Sequence, residues 1–224
     1  MGATLGAAKP TYRTVGLRET DRLEFFSDAV IAIAMTLLVV DLKVPDPHAL
    51  KVPLSEYLAS QWPGYVAFAA SFLFIGIAWA AHHNMFSFIS HSNHVLLILN
   101  LVFLIAIALQ PFSTSLAASY LGTTHERTAV LVYYSVLLMV SFSYNIVWQY
   151  ARWRGLISHD LDPRLLRGLT WEYAMAPLLH ATAIVVALWR VRLSFIPILI
   201  IYGFFALPRL SERWPAIAAA AEEK

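Results

Sequence analysis

From Tyr57 to His125 the chain runs 69 residues without an Asp, Glu, Lys or Arg. After Glu126 and Arg127 another 24 uncharged residues follow, Thr128 to Ala151. A soluble domain carries about 25% charged residues, and none of this size has an interior that could hide such a run. Lipid is the solvent that accommodates it. Across all 224 residues 59% are apolar and 13% charged, which excludes a secreted module, a soluble enzyme and a nucleic-acid binder. Sixteen Lys and Arg against 14 Asp and Glu leave a formal charge of +2. That excess reads as a topology signal rather than a phosphate-binding patch. Cysteine is absent, so disulfides and thiolate metal ligands are ruled out. Residues 1–21 lack the apolar core of a signal peptide and are expected to be a tail.

About 20 helical residues cross the hydrocarbon. Six stretches qualify: residues 24–44, 62–82, 94–118, 128–150, 170–189 and 193–207. Pro45 and Pro47 stop the first, because proline lacks the N–H and clashes with the preceding turn. Pro63 opens the second, where a first-turn proline is tolerated. Ser158, Asp160, Asp162 and Pro163 mark the loop before the fifth. Pro111, Pro177 and Pro197 lie inside spans and are expected to kink them. The aromatics of the fourth span, Tyr133, Tyr134, Tyr144, Trp148 and Tyr150, read as interface belts, as do Trp171, Trp189 and Trp214. His180 reads as a helix-packing histidine.

With six spans, alternate loops share a side. One side holds eleven basic residues, including Lys9, Arg13, Arg18 and Arg22, the set Arg152, Arg154, Arg164 and Arg167, and Arg209, Arg213 and Lys224. The other holds five: Lys43, Lys51, Arg127, Arg190 and Arg192. Positive charge stays inside, so both termini are expected in the cytoplasm. The fold class is an all-α integral membrane protein with six transmembrane helices. Residues 1–21 and 209–224 are expected as cytoplasmic tails around a six-span domain at 22–208.

The first span carries the chemistry. Asp28 lies within its first turns, where an ionised carboxylate at helix depth costs roughly 2.5–3.5 kcal/mol on insertion scales, and less near the interface. It either sits at the interface as an N-terminal helix charge or has partners on other spans. Ile33, Leu37 and Val40 fall at i, i+4 and i+7 on one face, with Thr36 beside them; ordinary helix packing would also give that row. Trp79, His82, His83, His91 and His94 bring four histidines close in sequence. Adjacent His82 and His83 point about 100° apart on a helix, so one metal centre cannot easily use both. Hydrogen bonding to a buried acid fits imidazole and indole N–H groups better. Asn100 is a further donor, or a plain interhelical hydrogen bond.

The string Arg22-x-x-x-Phe26-Ser27-Asp28, with Ala32-Ile33, Thr36-Leu37-Leu38 and Asp41, resembles the signature of the transmembrane protein 175 family, bacterial branch. Ser71-Phe72, Trp79-x-x-His82-His83, Asn100-Leu101-x-Phe103-Leu104 and Pro111-Phe112-Ser113 extend the resemblance to residue 113. The family's members are potassium-permeable cation channels. The resemblance implies a six-span subunit of the bacterial inner membrane with no re-entrant selectivity-filter loop and no cofactor. Animal relatives carry two repeats and work as dimers. The single Phe-Ser-Asp string here therefore implies a homotetramer around a central pore, with potassium ions and the lipid bilayer as partners. The first span would line that pore, with Ile33, Leu37 and Val40 as apolar constrictions and Thr36 at or near a polar ring. Phe26, Ser27 and Asp28 would be locked by Arg22, Trp79, His82 and Asn100. Val40 is smaller than the leucine expected at the third constriction. A proton- or cation-coupled transporter using Asp28 and His82 as a relay is the alternative.

Overall fold

The computed structural model describes residues 20–158 and 161–206. The basic residues Lys9, Arg13, Arg18, Arg209, Arg213 and Lys224, together with Trp214 and Asp160, lie outside the described residues. The elements among the described residues are helices: α1 (Asp21–Leu37), a 3-10 turn (Leu38–Asp41), α2 (Leu54–Ser60), α3 (Trp62–Ser87), α4 (His94–Ala108), α5 (Gln110–Tyr120), α6 (Glu126–Trp153), α7 (Pro163–Trp189), a second 3-10 turn (Val191–Ser194) and α8 (Phe195–Ala206). Among the described residues five segments are long and apolar enough to cross a membrane, with α1 and its 3-10 turn as one and α4 and α5 as another.

Helix ends follow local chemistry. Asp21 and Glu24 sit in the first turn of α1, where the helix dipole favours negative charge. The Asn93 carboxamide oxygen caps α4 by accepting from the Leu96 N–H at 2.9 Å. Asp162 caps α7 by accepting from the Arg164 N–H at 2.6 Å, with Pro163 in its first turn. Helix α6 closes with Leu156 N–H on the Ala151 carbonyl at 2.9 Å and Gly155 N–H on the Arg152 carbonyl at 3.2 Å. This pairing needs the left-handed backbone that Gly155 adopts at φ 66°. Gly155→Ala is expected to cost about 1–2 kcal/mol, read as a lower thermal unfolding midpoint. Just beyond, Ile89 and Ile157 form an antiparallel bridge, with Ser90 and Ser158 N–H groups donating to Leu156 and Phe88 at 2.9 Å each. The bridge ties the end of α3 to the end of α6.

Helix α6 is the centre of the bundle, packing on α4, α5 and α7. Tyr134, Leu137, Val140, Val147, Trp148 and Ala151 are buried along it at helical spacing. The belt reading of its aromatics is thereby corrected. Tyr133, Tyr134, Tyr144 and Trp148 are core residues, because their polar tips find partners inside: Tyr144 OH donates to the Ala81 carbonyl at 3.0 Å and Trp148 Nε1–H to Thr170 Oγ1 at 3.0 Å. Trp171 and Trp189 stay exposed. His180 packs between helices and bonds Ser141 through Nδ1 at 3.1 Å.

Span boundaries also shift. The first helix ends at Asp41 rather than Val44, since the residue before Pro45 is driven out of the α region and the chain leaves the helix earlier. Pro111 does more than kink the third span. The helix breaks at Leu109 and restarts as α5 with Pro111 in its first turn, where no N–H is needed. Helix α7 starts at Pro163 instead of Thr170 and runs without interruption through Pro177. Pro197 falls in the first turn of α8 and interrupts nothing. The short α2 was not foreseen. Helix α8, at 12 described residues, is about 18 Å long against a hydrocarbon core of about 30 Å.

Candidate functional site

Helix α1 packs on α3, α4 and α5 and not on the central α6 to any comparable extent. Leu23, Ser27, Ile31, Ala34 and Leu38 are its buried side. Two chains of polar contacts pin that side. In the first, Ser27 Oγ–H donates to the Leu23 carbonyl at 2.8 Å, so its oxygen is free to accept. Asn100 Nδ2–H on α4 donates to it at 2.8 Å. The Asn100 carbonyl oxygen therefore faces His82 Nε2 on α3, at 2.9 Å, and that nitrogen must carry the proton. Each group has one role, and reversing the Asn100 amide would set two acceptors against each other. The His82 ring is clamped by Phe86 and Phe103, with centroids 4.4 and 5.3 Å away.

In the second chain, Trp79 Nε1–H donates to Asp28 Oδ1 at 2.9 Å. Trp79 stacks on His83 at 6.3 Å, and His83 Nδ1 lies 3.9 Å from Glu24 Oε2. Ser27 and Asp28 are consecutive, so their side chains leave the helix about 100° apart. One bonds α4 and the other α3. The residue order therefore fixes the rotation of α1 about its own axis. Arg22 and Phe26 are exposed and add no hydrogen bond to either chain among the described residues. His82 and His83 stand in different surroundings, one buried and one with a 65% exposed side chain.

The opposite face of α1 is uncovered among the described residues. Ile33, Leu37 and Val40 are 59%, 48% and 73% exposed, and Thr36 is exposed between them. Val40 lies in the 3-10 turn, not on the α-helix. Side chains three apart eclipse in that geometry, so Val40 stands above Leu37 along the axis. Thr36 Oγ1–H donates to the Ile33 carbonyl at 2.8 Å, which leaves the oxygen free to accept.

A third cluster was not foreseen from the sequence. Thr114 on α5 donates to Ser71 on α3 at 2.8 Å, and Ser71 pairs with Tyr133 on α6 at 3.1 Å. Beside it Gln110 is fully buried at the helix break. Serine and threonine are common in bilayer helices, and nothing in their spacing marks these as partners.

A bundle that among its described residues has five membrane-length helical segments, the first pinned by polar bonds on one side and bare on the other, is a multi-pass membrane protein. The chain belongs to the TMEM175 family, described as endosomal/lysosomal potassium channel TMEM175, which matches residues 22–111. A potassium channel of Chamaesiphon minutus is 35% identical over 191 residues, 84% of this chain and 94% of that protein. A potassium channel of Streptomyces collinus is 37% identical over 150 residues, 66% of this chain and 71% of that protein. Among solved structures, a lysosomal potassium-selective channel TMEM175 homolog from Chamaesiphon minutus superposes with a TM-score of 0.76 at 33% identity. It covers 84% of this chain and 96% of that one.

Proposed function

We propose that the protein is a potassium-permeable cation channel, conducting passively through a central pore lined by the first helix. The observation that carries this reading is the bare face of α1. Its rotation is fixed by Ser27 and Asp28, so Ile33, Thr36, Leu37 and Val40 are held outward as a set. Four copies around one axis bring these faces together. The relatives named potassium channels support the assignment. In the assembly Ile33, Leu37 and Val40 form narrow apolar rings, from which water withdraws and across which an ion meets a barrier. The Thr36 oxygens, their hydrogens already bonded to Ile33, present lone pairs to a cation.

The subunit in this reading has six spans, with α8 as the sixth, both termini in the cytoplasm of a bacterium and no re-entrant filter loop. Residues 22–208 make the channel domain and the flanking residues its tails. Phe26 and Arg22 mark the inner end of α1. The coupled-transporter alternative draws no support from the geometry. Asp28 bonds Trp79 and His82 bonds Asn100, and neither an indole N–H nor a carboxamide passes a proton onward at ordinary pH.

Planar-bilayer recording of the purified protein in a potassium–sodium gradient tests the reading. The expected result is ohmic current with a reversal potential displaced toward potassium, from particles with the mass of a tetramer. Saturable, coupled flux without single-channel steps would replace it with the transporter.

A further inference from the structure

A groove of about 410 Å³ runs between the end of α6 and the start of α7, lined by Gln149, Arg152, Trp153, Ile157 and Leu166. It lies at the ends of two membrane-length helices, one ending at Trp153 and the next beginning at Pro163. Arg152 is held in place, its Nη1–H donating to Gln149 Oε1 at 2.8 Å. The Arg154 guanidinium sits 5.5 Å over the Trp153 ring, and that indole is 77% exposed. Arg164 and Arg167 stand exposed in the first two turns of α7. Among the described residues no carboxylate pairs with any of these four arginines. The nearby Asp162 is engaged in capping α7.

We propose that this groove seats the headgroup of an anionic phospholipid such as phosphatidylglycerol. Arg152 and Arg154 bond its phosphodiester, and Trp153, Ile157 and Leu166 cover the first carbons of its acyl chains. Guanidinium forks match phosphate oxygens. Exposed tryptophan is at home at the headgroup level. A topology signal alone needs only a count of basic residues; it needs neither a groove nor an arginine fixed at its wall. Free inorganic phosphate would use the guanidiniums and leave the apolar wall without a role. The site does not depend on whether the chain conducts.

The test is a titration of the thermal unfolding midpoint of the full chain in detergent, with phosphatidylglycerol, phosphatidylcholine or inorganic phosphate added. Each basic residue near the headgroups is worth about fivefold in affinity for anionic lipid. Arg152→Gln with Arg154→Gln is therefore expected to weaken phosphatidylglycerol binding about 25-fold, with the lipid-free midpoint unchanged. Arg152→Lys keeps the charge and loses the fork, and is expected to weaken it about threefold. Arg190→Gln with Arg192→Gln, at the far end of α7, is expected to leave it unaltered. Equal stabilisation by phosphatidylcholine or by phosphate would overturn the proposal. So would wild-type binding in the Arg152/Arg154 variant, or equal weakening in the Arg190/Arg192 variant.

Discussion

Ile33→Asn is expected to raise the unstimulated cation current of the reconstituted protein by at least about tenfold, and to bring its potassium and sodium permeabilities closer together. A tenfold change in rate corresponds to about 1.4 kcal/mol of barrier. In a four-fold assembly the substitution acts four times on one ring. Each carboxamide offers water a donor and an acceptor where isoleucine offers none, so the ring stays wet and the ion keeps more of its hydration. Ile33 is exposed and touches neither polar chain that fixes α1, so the fold is not at stake. Single-channel recording of wild type and variant at matched protein density is the check. Unaltered conductance and reversal potential would remove Ile33 from the pore and, with it, the assignment of the bare face.

Asn100→Leu is expected to act on the opposite side of the same helix and to destabilise the subunit. It strands the His82 Nε2–H and takes from Ser27 the donor it accepts. A buried donor left unsatisfied costs about 1–3 kcal/mol, and a chain of this size loses roughly 2–4 °C of midpoint per kcal/mol. Thermal unfolding in detergent would show the fall. Adding His82→Phe to Asn100→Leu should return part of the loss, because the stranded group is then gone and Phe86 and Phe103 still flank the ring. A double variant as unstable as the sum of the singles would mean that the two residues are not coupled, contrary to the 2.9 Å contact between them.

Part of this arrangement is legible without coordinates. Asp28, placed by sequence within the first turns of an apolar helix, demands a donor, and the indole, imidazole and carboxamide groups that could serve are few enough to name. Trp79 and Asn100 are bonded as those residue types suggest, though Asn100 reaches Ser27 and not Asp28. Among the described residues Arg22, near in sequence, takes no part in either chain. The cluster of Ser71, Thr114 and Tyr133 left no trace in the pattern, since hydroxyls in bilayer helices satisfy themselves on their own backbone as readily as on a neighbour.

What the sequence determined by itself was the solvent and the coarse layout. A 69-residue stretch without charge belongs in lipid, and along the chain prolines, Asn93 and Asp162 end and start helices by local backbone chemistry. What only the tertiary structure decided was which side of each helix is inside. Trp148 is buried and Trp153 exposed, five residues apart on α6; Ile31 is buried and Ile33 bare on α1. In water, polarity would have sorted these pairs. Lipid tails are as apolar as leucine, so hydrophobicity does not distinguish core from surface, and sidedness is set by packing and by a few side-chain hydrogen bonds between residues 51 to 73 positions apart.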